Sequence, residues 1–157
     1  MFNKIYNQKG SMLMEVVIAS AILLFIVLGV LGSFGITIRT SLSNTKLLQS
    51  SFLLEEGAEV LRHMRDDSWS KISNLVPSTT YAFMKTDSDW SIFEGKEYID
   101  GFERIFLVEQ VSRDGSSDIS ESGTIDSNTI RATINVSWYE NNATTTKSLS
   151  LYLTNIF

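Results

Sequence analysis

Residues 10–39 read GSMLMEVVIASAILLFIVLGVLGSFGITIR, and this stretch decides the fold. Between Glu15 and Arg39 lie 23 residues without a charge, Val16 to Ile38. At about 1.5 Å per residue such a run makes a helix of roughly 34 Å, enough to cross the hydrocarbon core of a bilayer. The exception is Glu15, a carboxylate at the mouth of a segment otherwise built for lipid. At membrane depth a carboxylate is costly and persists with a partner or a proton. At the interfacial end of a signal anchor, a negative charge also suits a helix N-terminus.

Ahead of the run stands a short polar leader carrying Lys4 and Lys9, followed by Gly10 and Ser11. Positive charge favours keeping the leader in the cytoplasm, so the chain is expected to insert once, with its C-terminus outside. In a secretory signal the cleavage site follows a short apolar region of about 7–15 residues. Here the candidate site precedes the apolar run, and cutting after Gly10 leaves the membrane helix on the mature chain.

Gly10, Ser11 and Glu15, followed directly by the apolar helix, resemble the N-terminus of type IV prepilins and of the pseudopilins of type II secretion. The resemblance implies cleavage after Gly10 by an aspartyl prepilin peptidase and methylation of Ser11 as the new amino terminus. It makes Glu15 the fifth residue of the mature chain, paired during assembly with the N-terminal ammonium of a neighbouring subunit. Ser11 departs from the pattern, since the family usually carries phenylalanine or another apolar residue there.

Composition narrows the field from the other side. The chain has 157 residues, a formal charge of −5 and no cysteine. After a leader and a membrane helix, enough remains for one modest core. No cluster of Lys and Arg offers a surface for phosphate, so no nucleic-acid contact is expected. Disulfides and thiolate metal sites are excluded. With a single histidine and no nucleophile or metal-ligand spacing, nothing points to an enzyme or a cofactor.

Gly29, Gly32 and Gly35 interrupt the apolar run. They either permit local unwinding when subunits pack, as glycine or proline does in pilins, or let neighbouring helices approach closely. The helix is expected to continue past the membrane. Leu47, Leu54 and Leu61, with Leu53, Ala58, Val60 and Met64, form the stripe of a helix lying on a domain. On its charged side, Glu59 to Arg62 and Arg62 to Asp66 have helical ion-pair spacing. The segment EEGAEVLRHMRDDSW, residues 55–69, also resembles the end of the long helix in many pilin-like proteins. A functional reading makes Glu56, Glu59, Arg62 and Arg65 contacts between subunits; the simpler one is a solvated face with Trp69 over the core and His63 on the surface.

Beyond Ser70 the period changes to two. Ile130, Ala132, Ile134, Val136 and Trp138 alternate with polar residues, as a half-buried strand does. Leu149, Leu151 and Leu153 do the same, and NNATTT, residues 141–146, is expected to turn between them. Ile105 to Val108 is apolar on both faces, which predicts a central strand, and segment 79–93 supplies an edge strand or an irregular loop. The predicted fold class is therefore α+β: a long N-terminal helix packed on a small antiparallel sheet, the pilin-like arrangement. Its parts are a leader over 1–10, a transmembrane half-helix over 11–38, an amphipathic half-helix over 39–68 and a sheet domain over 69–157. The strand Gly101 to Arg104, a strand ending at Trp138 and an alternating terminal strand are similar to small I-type minor pseudopilins and related minor pilins.

Asp114, Asp118, Glu121 and Asp126 lie in one polar segment that lacks EF-hand spacing; a hairpin loop is the default, with Asp114, Asp118 and Asp126 as weak metal candidates. Asn135-Val-Ser137 and Asn142-Ala-Thr144 fit glycosylation tripeptides, which also arise by chance. The resemblance implies a filament subunit, held in the cytoplasmic membrane among lipid and then extracted into a pilus at the cell surface or a periplasm-spanning pseudopilus. Its implied partners are the prepilin peptidase, sibling pilin subunits, a polytopic platform protein and an assembly ATPase. The alternative is a single-pass membrane-anchored extracytoplasmic binding protein that never polymerises.

Overall fold

The computed structural model describes residues 8–86, 89–140 and 142–156. Helix α1 spans Gln8–Asp67 without a break. The first seven residues of the expected leader lie outside the described residues. Contacts divide the chain into two compact units, Met1–Thr45 and Lys46–Phe157. In the first unit every residue from Met12 to Leu42 is exposed. This part of α1 is long and apolar enough to cross a membrane.

The second unit joins the end of α1 to the short helix α2 (Ser70–Ser73) and an antiparallel sheet. Its strands are β1 (Tyr81–Lys85), β2 (Trp90–Glu94), β3 (Glu97–Ile99), β4 (Phe102–Arg113), β5 (Ile119–Ser120), β6 (Thr124–Glu140) and β7 (Ala143–Thr154). The main order is β2-β1-β4-β6-β7, with β3 and β5 also paired to β4. The α+β class read from the sequence is the class observed.

Leu54, Ala58, Leu61 and Met64 are buried at intervals of four, three and three residues, which puts them on one face of α1. Opposite them stand Ala132, Ile134, Val136 and Trp138 of β6 and Phe102, Phe106 and Val108 of β4. Phe83 stacks on Phe106 with ring centroids 4.6 Å apart. Burying a side chain of this size contributes about 1.5–3 kcal/mol. Gly57 marks a close approach of helix to sheet: a Cβ there would stand 3.2 Å from both Ile134 Cδ1 and Phe83 Cε2. We expect Gly57→Val to force these layers apart and cost about 1–3 kcal/mol, read as a lower urea midpoint for the full chain in detergent. An unchanged midpoint would show that Ile134 and Phe83 yield freely.

Several local expectations change. Leu47 is 40% exposed, and the burial of α1 begins instead at Ser50, whose hydroxyl returns to the Leu47 carbonyl at 2.8 Å. Arg62 pairs with Glu59, but Asp66 is taken by its neighbour Arg65 at 2.7 Å, so the Arg62 to Asp66 pair does not form. Strand β4 buries one face only: Phe106 and Val108 point inward while Ile105 and Leu107 remain half-buried. The expected turn over 141–146 shrinks, because Glu140 already pairs with Ala143 and Thr144–Thr146 belong to β7. Segment 79–93 contributes two strands, β1 and β2, paired over five positions.

Candidate functional site

In the first unit several hydroxyls turn back onto the helix's own backbone. Ser20 Oγ donates to the Val17 carbonyl at 2.9 Å, and Thr37 and Thr40 Oγ1 donate at 3.0 Å to Ser33 and Ile36. Hydroxyls folded back in this way leave no unmet donor for lipid to solvate. Glu15 differs from them. It is the single ionisable residue between Met12 and Ile38, it is exposed, and among the described residues no hydrogen bond or ion pair engages it. Gly10 and Ser11 fall in the first turns of α1, four to five residues before it.

The glycines add a second observation. The helix runs unbroken through Gly29, Gly32 and Gly35, and a Cβ added at any of them would meet nothing within 4 Å. The fold of a single chain therefore has no steric need for small residues there, although each weakens the helix by about 1 kcal/mol relative to alanine. Both readings of these glycines, unwinding and close helix approach, involve a second chain.

The charged side of α1 divides. Glu59 and Arg62 pair with each other at the surface, and Arg65 pairs with Asp66. His63 is also exposed, with Nε2 3.4 Å from Asp89. Glu56 has a different place. Its Oε2 accepts from Nη1 of Arg104 at 2.8 Å, within the same domain.

Arg104 is the residue that sequence reasoning missed. Its side chain is 0% exposed, among the largest wholly buried groups in the protein. Nη1 also donates to the Leu53 carbonyl at 3.0 Å, and Nε donates to Glu97 Oε2 at 2.9 Å. The guanidinium lies over the Phe83 ring, 5.1 Å from its centroid. One group thus ties the second half of α1, β3 and β4 together. The flat, forked guanidinium suits this place because it holds two carboxylates and a ring face at once. A signal was present in the sequence: Arg104 alternates in phase with Phe102, Phe106 and Val108, so its parity aims it inward.

Two of the three metal candidates, Asp114 and Asp126, have other work. Asp114 Oδ1 accepts from the backbone N–H groups of Ser116 at 2.8 Å and Asp118 at 3.1 Å, closing a turn. Asp126 pairs with Arg113 Nε at 2.7 Å and caps the Asn128 N–H at 2.9 Å. Among the described residues no three of His, Asp and Glu gather as metal ligands. The Arg113 side-chain bond, with those from Thr129 and the Asn128 N–H, lowers the Asp126 carboxyl to about 2. The folded value lies below the usual aspartate value of about 3.9. The stabilisation is therefore present above about pH 4 and lost as pH falls through about 2. Melting temperature is expected to drop over this window, and Asp126→Asn to flatten that drop. Equal acid sensitivity in the variant would assign the loss to other carboxylates.

Comparison with protein-family models, with curated proteins and with solved structures finds no match to this chain.

Proposed function

We propose that the chain is a structural subunit of a filament of the type IV pilus or type II secretion pseudopilus kind. One observation carries the reading: a helix apolar on all sides bears a single ionisable residue, Glu15, a fixed short distance after Gly10 and Ser11, and then continues into a helix seated on an antiparallel sheet. On this reading a prepilin peptidase cuts after Gly10 and Ser11 becomes the methylated terminus. Glu15 receives the new ammonium of a neighbouring subunit. Processing and polymerisation are then chemically linked, since the cut creates the charge that the carboxylate needs.

In the bilayer the apolar helix is held by lipid as a single-pass anchor in the cytoplasmic membrane, with the sheet domain outside. In the filament the same surface packs against other copies or sibling subunits. The platform protein and assembly ATPase of the family are the implied machinery, and the sheet domain faces outward.

The test is fractionation of cells that carry such machinery. The chain should appear in sheared, high-molecular-mass filaments, and Gly10→Val should keep it uncut in the membrane fraction. A chain that stays in the membrane while its sibling subunits are sheared off would instead be the non-polymerising anchored binding protein.

A further inference from the structure

We propose that Asn142 is an acceptor for N-linked glycan, carried at the tip of the β6–β7 hairpin; this rests on the outward placement of the sheet domain given above. Two tripeptides of the acceptor form, Asn135-Val-Ser137 and Asn142-Ala-Thr144, occur in the chain, and the fold treats them differently. Asn135 sits in the middle of β6, paired on one side with Ile105 and on the other with Ser148. It is half-buried, and its side-chain oxygen accepts from Ser148 Oγ at 2.6 Å. No enzyme can lift this asparagine out without opening the sheet.

Asn142 lies just past the last β6 residue, next to the closing Glu140 and Ala143 pair. Its backbone is left-handed, with φ of 61°, a conformation asparagine tolerates and hairpin turns use. Asn142, Ala143 and Thr144 are all exposed, and among the described residues no hydrogen bond holds the Asn142 amide. Thr144, in β7 opposite Tyr139, places a hydroxyl two residues past the turn asparagine. An acceptor needs both, on a surface loop of a protein exported from the cytoplasm.

The donor class is an oligosaccharide linked through a diphosphate to a membrane lipid. The side-chain nitrogen of Asn142 attacks the anomeric carbon and a nitrogen–carbon bond forms. The bond from that carbon to the diphosphate oxygen breaks, the lipid diphosphate departs with its electron pair, and one amide proton is released.

The experiment expresses the full chain in a membrane containing an oligosaccharyltransferase of this class and its lipid-linked donor, beside a control protein of known acceptor sequence, and measures intact mass. One glycan is expected on the wild-type chain. It should persist in Asn135→Asp and be lost in Asn142→Asp and in Thr144→Val. The last of these leaves the turn asparagine in place, so its loss cannot be blamed on the hairpin. Because the chain has no cysteine, the substitution Ser116→Cys, at an exposed turn, reports topology through a thiol reagent that cannot cross membranes. An unmodified chain whose introduced thiol is labelled from outside, with the control modified, overturns the acceptor proposal alone. A chain neither labelled nor modified overturns the outward topology, and the acceptor with it. A glycan retained by Thr144→Val and Asn142→Asp also overturns the assignment.

Discussion

Glu15→Ala is expected to leave cleavage after Gly10 intact while reducing the chain in sheared filaments to about one hundredth of the wild-type level or less. The estimate follows from leaving a buried ammonium without its counter-charge, which costs about 3–5 kcal/mol, and each 1.4 kcal/mol is tenfold in affinity. In a filament this weakening recurs at every subunit, so the effect on assembly exceeds the effect on one contact. Membrane insertion should not suffer, since the substitution removes a charge from the edge of an apolar run. Filament content equal to wild type would mean that the carboxylate has no partner and that Glu15 is the interfacial end of an anchor.

Arg104→Ala is expected to destabilise the sheet domain by about 3–5 kcal/mol, because it strands Glu97 and Glu56 and empties the space over Phe83. Glu97, only 19% exposed, bears most of the loss. Arg104→Lys keeps the charge but not the fork, and a single ammonium cannot reproduce the paired contacts from Nε and Nη1. It should fall between wild type and alanine. Urea unfolding of the full chain in detergent, followed by tryptophan fluorescence, measures both. A change below about 1 kcal/mol for the alanine variant would contradict the account, because it would mean that neither the ion pairs nor the filled space over Phe83 holds the domain together.

How much of this was legible depends on how local each cause is. The alternation of Ile130 to Trp138 states the buried face of β6 in nine residues, and the structure places Ala132, Ile134, Val136 and Trp138 inward as read. The apolar run and Glu15 are equally local. Arg104 was not read because its partners are remote: Glu56 is 48 residues away and the Leu53 carbonyl 51. Strand parity placed a cation in the core, yet only the pairing of β4 with β3 and the seating of α1 supply the acceptors that make it tolerable. The same holds for Glu56, which shares its helix and its charge with Glu59 but pairs with the buried Arg104 while remaining exposed itself. Leu47 fitted the seven-residue stripe, but the cover over α1 starts one turn later, and no pattern within the helix reports where its neighbour begins.

The acidic segment shows how two readings compete, a polar loop as the default and a cation site as the lesser one. Asp114, Asp118 and Asp126 are spaced loosely enough to invite a cation, but a carboxylate near a turn is as readily used by backbone N–H groups. Asp114 and Asp126 are used in that way.

The most direct measurement is the intact mass and N-terminal sequence of the membrane-fraction protein, made with and without a co-expressed prepilin peptidase. A filament subunit should start at Ser11 and carry one added methyl group in the presence of the peptidase, and keep Met1 without it. A chain that begins at Met1 under both conditions would contradict the pilin reading and leave a signal anchor in its place.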